Sequence, residues 1–246
     1  MRLVGCRAER LLVRSQGRAH GPARGAATAY VHGEARAERQ DGGEESEQDQ
    51  KRNDRAHGEE DYLAARYRSG VIDSRLPLLF LDIDGPLLPF GATREQLPDG
   101  YPAYESGHAP RGADANPLIT RIDPAHGPRF ASLPCTLVWA TTWMSDANDC
   151  VAPWLGLPEL PVVDWPEPDG EEPRDGVHWK TRALVDRAAG RPFAWVDDEI
   201  TDADRTWVRA HHPGPALLHR VGARLGLTDA DFTTLGHWLR TMTGSP

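Results

Sequence analysis

The sequence predicts an α/β fold of three layers, with helices on both faces of a central parallel sheet. Three observations predict it. Short continuous apolar runs recur at Leu78-Leu79-Phe80-Leu81, Thr136-Leu137-Val138-Trp139-Ala140 and Phe193-Ala194-Trp195-Val196, the pattern of strands buried on both faces. Single stretches with helical spacing separate them, as crossovers between parallel strands require. Acids and hydroxyls follow directly after the runs, where open α/β sheets bind their ligands.

The elements follow in order. A first strand is expected at 78–81, and an irregular excursion dense in Pro and Gly at 85–117, carrying Tyr101 and Tyr104. Asp123-Pro124 places an N-cap before a proline at the first helical position, opening a short helix to about Leu133. After a second strand at 136–140, the spacing predicts a helix from Ser145 to about Leu155. Leu160 to Asp164 is a weaker strand at an edge, because Pro161 cannot donate to a ladder. Residues 165–176 are an acidic, Pro-rich loop. A helix is expected from His178 to Ala189, with Trp179, Ala183, Leu184 and Ala188 inward and Gly190 as its C-cap. Beyond the strand at 193–196 come a helix from Thr201 to His211 and a fifth strand from Ala216 to His219. Thr228-x-x-Asp231 resembles a capping box and opens a last helix through Leu239.

Composition divides the 246 residues in two. All eight Trp and all five Phe lie after residue 79. Between Glu34 and Asp61 the only apolar side chains are Ala35, Ala37 and Ala56. Such a stretch cannot offset the roughly 1–2 kcal/mol per residue that backbone ordering costs. Residues 1–70 are therefore expected to be a disordered extension, or translated upstream sequence before a start near Val71. Residues 71–246 are long enough for one globular domain with a substantial core.

Charge narrows the partners. Of 28 basic and 37 acidic residues, 13 and 12 fall in 1–70, leaving 15 and 25 in 71–246, a net charge of about −10 there. A net-acidic domain repels nucleic-acid phosphates, so a nucleic-acid partner is disfavoured. No apolar run approaches the ~18 residues of a membrane span. Leu3-Val4-Gly5-Cys6 looks like a lipoprotein box but lacks the apolar stretch of about 7–15 residues that must precede it. Three cysteines, Cys6, Cys135 and Cys150, form no CxxC pair; they suggest neither a disulfide framework nor a zinc site, and a cytoplasmic compartment is expected.

The chemistry gathers at the strand ends. Asp82, Asp84 and Gly85 follow the first strand, Thr141 and Thr142 the second, Asp197 and Asp198 the one at 193–196, and Lys180 opens the helix before it. Asp82 and Asp84 are two residues apart and point the same way if extended. Joined by Asp198, they make a hard-oxygen, negatively charged cluster of the kind Mg2+ prefers. Unpaired carboxylates at one edge raise one another's pKa, and a divalent cation resolves that repulsion. The Thr141 hydroxyl and the Lys180 ammonium are then available to phosphate oxygens, and a carboxylate to attack phosphorus. A Ca2+ loop would need more acids at alternating positions. A sugar-transferase DxD would not predict Thr141, Lys180 and Asp198 in their places.

Leu79-Phe80-Leu81-Asp82-Ile83-Asp84-Gly85 resembles the first motif of the haloacid dehalogenase (HAD) superfamily. Val138-Trp139-Ala140-Thr141 resembles its second motif, Lys180 its third-motif lysine, and Trp195-Val196-Asp197-Asp198-x-x-x-Asp202 its acidic fourth motif. The four are in order over residues 78–202. The resemblance implies a HAD-like, Rossmann-like domain and a phosphatase working through an aspartyl-phosphate on a small phosphorylated substrate; residues 86–123 are too short for a large cap and suffice only for a loop or small hairpin lid. By it Asp82 is the nucleophile and Asp84 the general acid/base. Asp82, the Asp84 backbone carbonyl and Asp198 hold Mg2+, with Asp197 or Asp202 as alternate ligands or as supports behind them. Thr141, Thr142 and Lys180 hold phosphate. Thr141-Thr142-Trp143 resembles nucleotidase-like members, with Trp143, Tyr101 and Tyr104 as candidate stacking partners of a base. Pro86 departs from the family pattern and stiffens the start of the flap.

Other readings stay open at this level: a polynucleotide end phosphatase, which the charge disfavours, and a catalytically silent binding protein of the same fold. His178 reads as a surface residue at a helix start, and His211, His212 and His219 as structural. Asp146 and Asn148 could face the site or favour a helix N-terminus.

Overall fold

Three short apolar runs become strands buried on both faces, which suits neither an exposed loop nor an amphipathic helix, and a fourth, Ala216–Arg220, joins them at an edge with only Leu218 buried. In the computed structural model, which describes residues 76–107, 117–165 and 176–244, they are β1 (Leu78–Leu81), β2 (Thr136–Trp139), β3 (Phe193–Asp197) and β4 (Ala216–Arg220). All pair in parallel in the order β2-β1-β3-β4. The expectations for residues 1–70, for 166–175 and for Cys6 fall outside the described residues.

The helices are α1 (His126–Ala131), α2 (Ala152–Trp154), α3 (Lys180–Ala188), α4 (Asp202–His211) and α5 (Asp229–Thr243), with a 3-10 helix at Pro117–Arg121. Alternation along the strands divides the core. Phe80, Val138, Trp195 and Leu218 pack with Leu184, Val185 and Ala188 of α3 and Val208 of α4. Leu79, Leu81, Leu137, Trp139, Ala194 and Val196 point the other way and are equally without exposed surface. The sheet is thus covered on both faces, as a three-layer α/β fold requires. Among the described residues no helix is long and apolar enough to cross a membrane.

Several boundaries differ from expectation, each for a local reason. The weak edge strand expected at 160–164 shrinks to one bridge, Trp139 to Val162; Pro161 accepts from the Trp139 N–H at 2.8 Å but has none to give back. The helix expected from Ser145 contains a π-helical turn, Ala147–Val151, before α2. Within that turn Asn148 accepts from Trp139 Nε1 at 2.9 Å and donates to the Leu160 carbonyl at 2.8 Å, so its role is structural. Asp123 accepts from the Ala125 N–H at 2.9 Å, a turn that delays α1 to His126. Helix α3 starts two residues late and ends with Ala189 and Gly190 both left-handed, at φ 49° and 83°. Helix α5 runs past Leu239 to Gly244, at φ 65°.

The flap begins as a tight turn. The N–H groups of Leu87 and Leu88 both donate to the Ile83 carbonyl, at 3.0 and 2.9 Å, and the Pro86 carbonyl accepts from Leu227 at 2.8 Å. Pro86 is buried. Among the described residues of 86–123 there is no hairpin and no helical cap.

Candidate active site

The sheet order brings the ends of β1 and β3 side by side at the centre, at the point where the connections reverse direction and α/β sheets bind ligands. Asp82 leaves β1 there and Asp197 ends β3, so two carboxylates 115 positions apart in the chain become neighbours. Helix α3, which packs across that face, delivers Lys180 between them. Its Nζ donates to Asp82 Oδ2 at 2.7 Å and to Asp197 Oδ2 at 2.8 Å. All three side chains are almost wholly buried.

The other carboxylate oxygens are also engaged. Asp82 Oδ1 accepts from the Ile83 N–H at 2.8 Å, Asp197 Oδ1 from the Glu199 N–H at 2.9 Å, and Asp197 Oδ2 from Trp195 Nε1 at 3.2 Å. Asp198 completes the group. Ligand oxygens of Asp82, Asp197 and Asp198 lie within 4.8 Å of one another. Room for Asp198 comes from Gly85, at φ 88°, where a Cβ would sit 2.5 Å from the Asp198 carboxyl. Arg220, at the end of β4, fixes the same residue from behind by donating from Nε to its carbonyl at 2.8 Å.

Three carboxylates, two of them buried and Asp198 half-buried, gather near one ammonium. Burial pushes the Asp82 carboxyl up to about 7, against the pull of Lys180 and with a further push from Asp197. Burial likewise raises Asp198 to about 6, helped by Asp197 and Glu199. For Lys180 burial pulls the other way, but the Asp82 and Asp197 carboxylates outweigh it and hold the ammonium above its ordinary value. The surplus is negative. A hard divalent cation with oxygen ligands suits that surplus and that donor set, and Asp82, Asp197 and Asp198 could hold one.

Asp84 stands apart from this group. Its Oδ2 accepts from Trp143 Nε1 at 3.0 Å, and burial raises its carboxyl while that hydrogen bond opposes the rise. Trp143 therefore spends its polar edge on Asp84. Thr141 is wholly buried at the end of β2, and its Oγ1 accepts from the Trp143 N–H at 3.4 Å. Thr142 is exposed. Asp202 is fully exposed in the first turn of α4, 3.5 Å from Arg205, and takes no part in the cluster. Tyr101 and Tyr104 line a cavity of about 180 Å³ with Pro86 and Gly226, whose walls include none of the cluster's carboxylates.

Asp204 is a site residue that motif spacing alone does not single out. It accepts from the His178 N–H at 2.7 Å, Thr181 Oγ1 at 2.6 Å, the Thr201 N–H at 2.8 Å and Thr201 Oγ1 at 2.7 Å. One carboxylate thus caps α4 and ties down the start of α3, where Lys180 stands. The readable signal was Thr201-x-x-Asp204, the same capping spacing as Thr228-x-x-Asp231. His178 is not a surface residue: its side chain is only 10% exposed, lies against Trp195, and meets Glu199 Oε2 at 3.0 Å. His212 and His219 are structural, bound to the Arg191 carbonyl at 3.0 Å and to Asp231 at 2.7 Å.

In comparisons with known proteins, no family model, no curated protein and no solved structure matches this chain.

Proposed function

We propose that this chain is a Mg2+-dependent phosphatase of the HAD type, hydrolysing a small phosphomonoester through an aspartyl-phosphate. The observation that carries the reading is the buried pair Asp82 and Asp197, bridged by Lys180 and joined by the half-buried Asp198, at the carboxyl ends of the two central strands. In it Asp82, Asp198 and Asp197 would hold Mg2+, together with the Asp84 backbone carbonyl that the HAD resemblance implies. The cation would supply charge neutralisation, letting a phosphate approach the carboxylates.

An Asp82 carboxylate oxygen attacks phosphorus, and the bond to the leaving oxygen breaks. Asp84, whose carboxyl burial raises against the opposing Trp143 hydrogen bond, gives that oxygen its proton. The resulting Asp84 carboxylate then takes a proton from water, whose oxygen attacks phosphorus, releasing inorganic phosphate and restoring Asp82. Lys180 and Thr141 steady the phosphoryl oxygens through both steps. The HAD resemblance of the four motifs supports these roles, and Trp143 supports Asp84 by orienting its carboxyl.

The test is turnover of a phosphomonoester panel by the full chain, with and without Mg2+, beside Asp82→Asn. We expect Mg2+-dependent release of phosphate that falls at least a thousandfold in the variant, about 4 kcal/mol of barrier. Full activity in Asp82→Asn would assign the nucleophile elsewhere. A folded, Mg2+-binding wild type that turns over nothing would favour a binding protein of the same fold, and turnover confined to phosphorylated oligonucleotides would favour an end phosphatase.

A further inference from the structure

A tryptophan that stays exposed beside a buried charged site calls for an explanation, since an aromatic side chain of that size contributes most when covered. Trp179 is 43% exposed. It immediately precedes Lys180, and the Lys180 Nζ lies 5.6 Å from the centre of its ring. Trp165 meets it edge to face at 4.8 Å, and His178 flanks it at 5.6 Å. Neither neighbour is loose. Trp165 donates from Nε1 to the Thr141 carbonyl at 3.0 Å, and the His178 N–H is held by Asp204 at 2.7 Å. The two groups assigned to phosphate, Thr141 and Lys180, are therefore each in contact with one half of an edge-to-face indole pair.

We infer that Trp179, braced by Trp165, is the platform on which the planar ring of the substrate's leaving group stacks while its phosphate lies against Lys180 and Thr141. The inference rests on the phosphatase reading for the position of the phosphate and goes beyond it in naming the substrate class: an aromatic phosphomonoester, such as a nucleoside monophosphate. A ring stacks on an indole face whatever its hydrogen-bonding pattern, so the platform selects planarity rather than one base. The acidic surroundings, with Asp198 and Glu199 at the same strand end, favour a single nucleotide over a polyanion. Trp143, whose indole N–H is committed to Asp84, is a positioning residue in this arrangement.

The experiment measures binding to the full chain carrying Asp82→Asn, with Mg2+ present, using adenosine monophosphate, phenyl phosphate and glycerol phosphate. Trp179→Ala and Trp179→Phe are added in that background. The two ring-bearing ligands are expected to bind about tenfold more tightly than glycerol phosphate. Trp179→Ala should erase that preference and Trp179→Phe should keep most of it. Equal binding of all three ligands, binding of none, or a preference that survives Trp179→Ala overturns the inference. Preference for adenosine monophosphate alone narrows the ring to a nucleobase, and equal preference for phenyl phosphate leaves any aryl ring acceptable. Wild-type turnover, measured separately, tells the two readings apart. A ring preference without turnover sinks the phosphatase and keeps the platform, whereas turnover without preference does the reverse.

Discussion

Gly85 shows how one absent side chain can set a site. Its φ of 88° is open to glycine and costly to other residues, and a Cβ there would come within 2.5 Å of the Asp198 carboxyl. Gly85→Ala therefore combines left-handed strain of roughly 1–2 kcal/mol with displacement of a candidate metal ligand. The expected result is a fall in Mg2+ affinity of at least about tenfold by titration calorimetry, together with a lower melting temperature; unchanged affinity would remove Asp198 from the ligand set. At this scale the sequence was legible wherever a residue acts from a strand end. Asp82, Asp84, Thr141, Asp197 and Asp198 were recognisable from the apolar runs before them, and Lys180 from its place before β3. Asp202 was misplaced because spacing cannot say which face of a helix's first turn looks inward. The structure turns Asp202 to solvent and Asp204 inward.

Helix α3 is the element on which the site depends most. Lys180, Thr181, Leu184, Val185 and Ala188 form its buried stripe, so the packing that holds the helix on the sheet also aims the lysine. A cation in a helix's first turn is unfavourable against the macrodipole, and the Asp204 carboxylate offsets it by accepting from the His178 N–H and the Thr181 hydroxyl. Asp204→Asn keeps the shape but replaces a charged acceptor with an amide that must also donate. We expect it to lower stability by about 2–4 kcal/mol, read from denaturant unfolding, because several buried donors lose their ionised partner. A loss under about 0.5 kcal/mol would show that α3 is held by its apolar stripe alone. The existence of α3 was readable from its periodicity. Its start was two residues off because the His178 N–H before it donates to Asp204 of α4, 26 positions away.

For the whole molecule, the buried charge surplus makes stability depend on pH and on metal. Asp82 and Asp198 are raised to about 7 and about 6 in the folded protein, against an ordinary aspartate value near ~3.9. The folded state then keeps protons that the unfolded chain gives up, so these groups remove stability as pH rises from about 4 to about 7. Asp204 has the opposite sign: despite burial, hydrogen bonds from Thr181, Thr201 and His178 hold its carboxyl low, giving stability that is present above about 4 and lost as pH falls through its folded value. The metal-free protein should therefore melt highest near pH 5 and several degrees lower at pH 8. Millimolar Mg2+ should raise the melting temperature more at pH 8, where the carboxylates are ionised, than at pH 5. Scanning calorimetry at both pH values checks this, and an equal Mg2+ effect at the two would count against a carboxylate cluster as the binding site.

The four paired strands, their parallel direction and the strand-end acids were legible in the sequence itself, whereas the edge strand expected at 160–164 was not kept. Burial pattern and chain punctuation are properties of a few consecutive residues, and they survive without knowledge of the partners. Tertiary structure alone decided what those residues do to one another. Lys180 reaches Asp82 across 98 positions, Trp143 reaches Asp84 across 59, and neither contact is written in any local period. They arise because β1 pairs in register with both β2 and β3 and α3 packs across the sheet, so that distance, burial and the surplus of charge are set by the assembled sheet and not by any one segment.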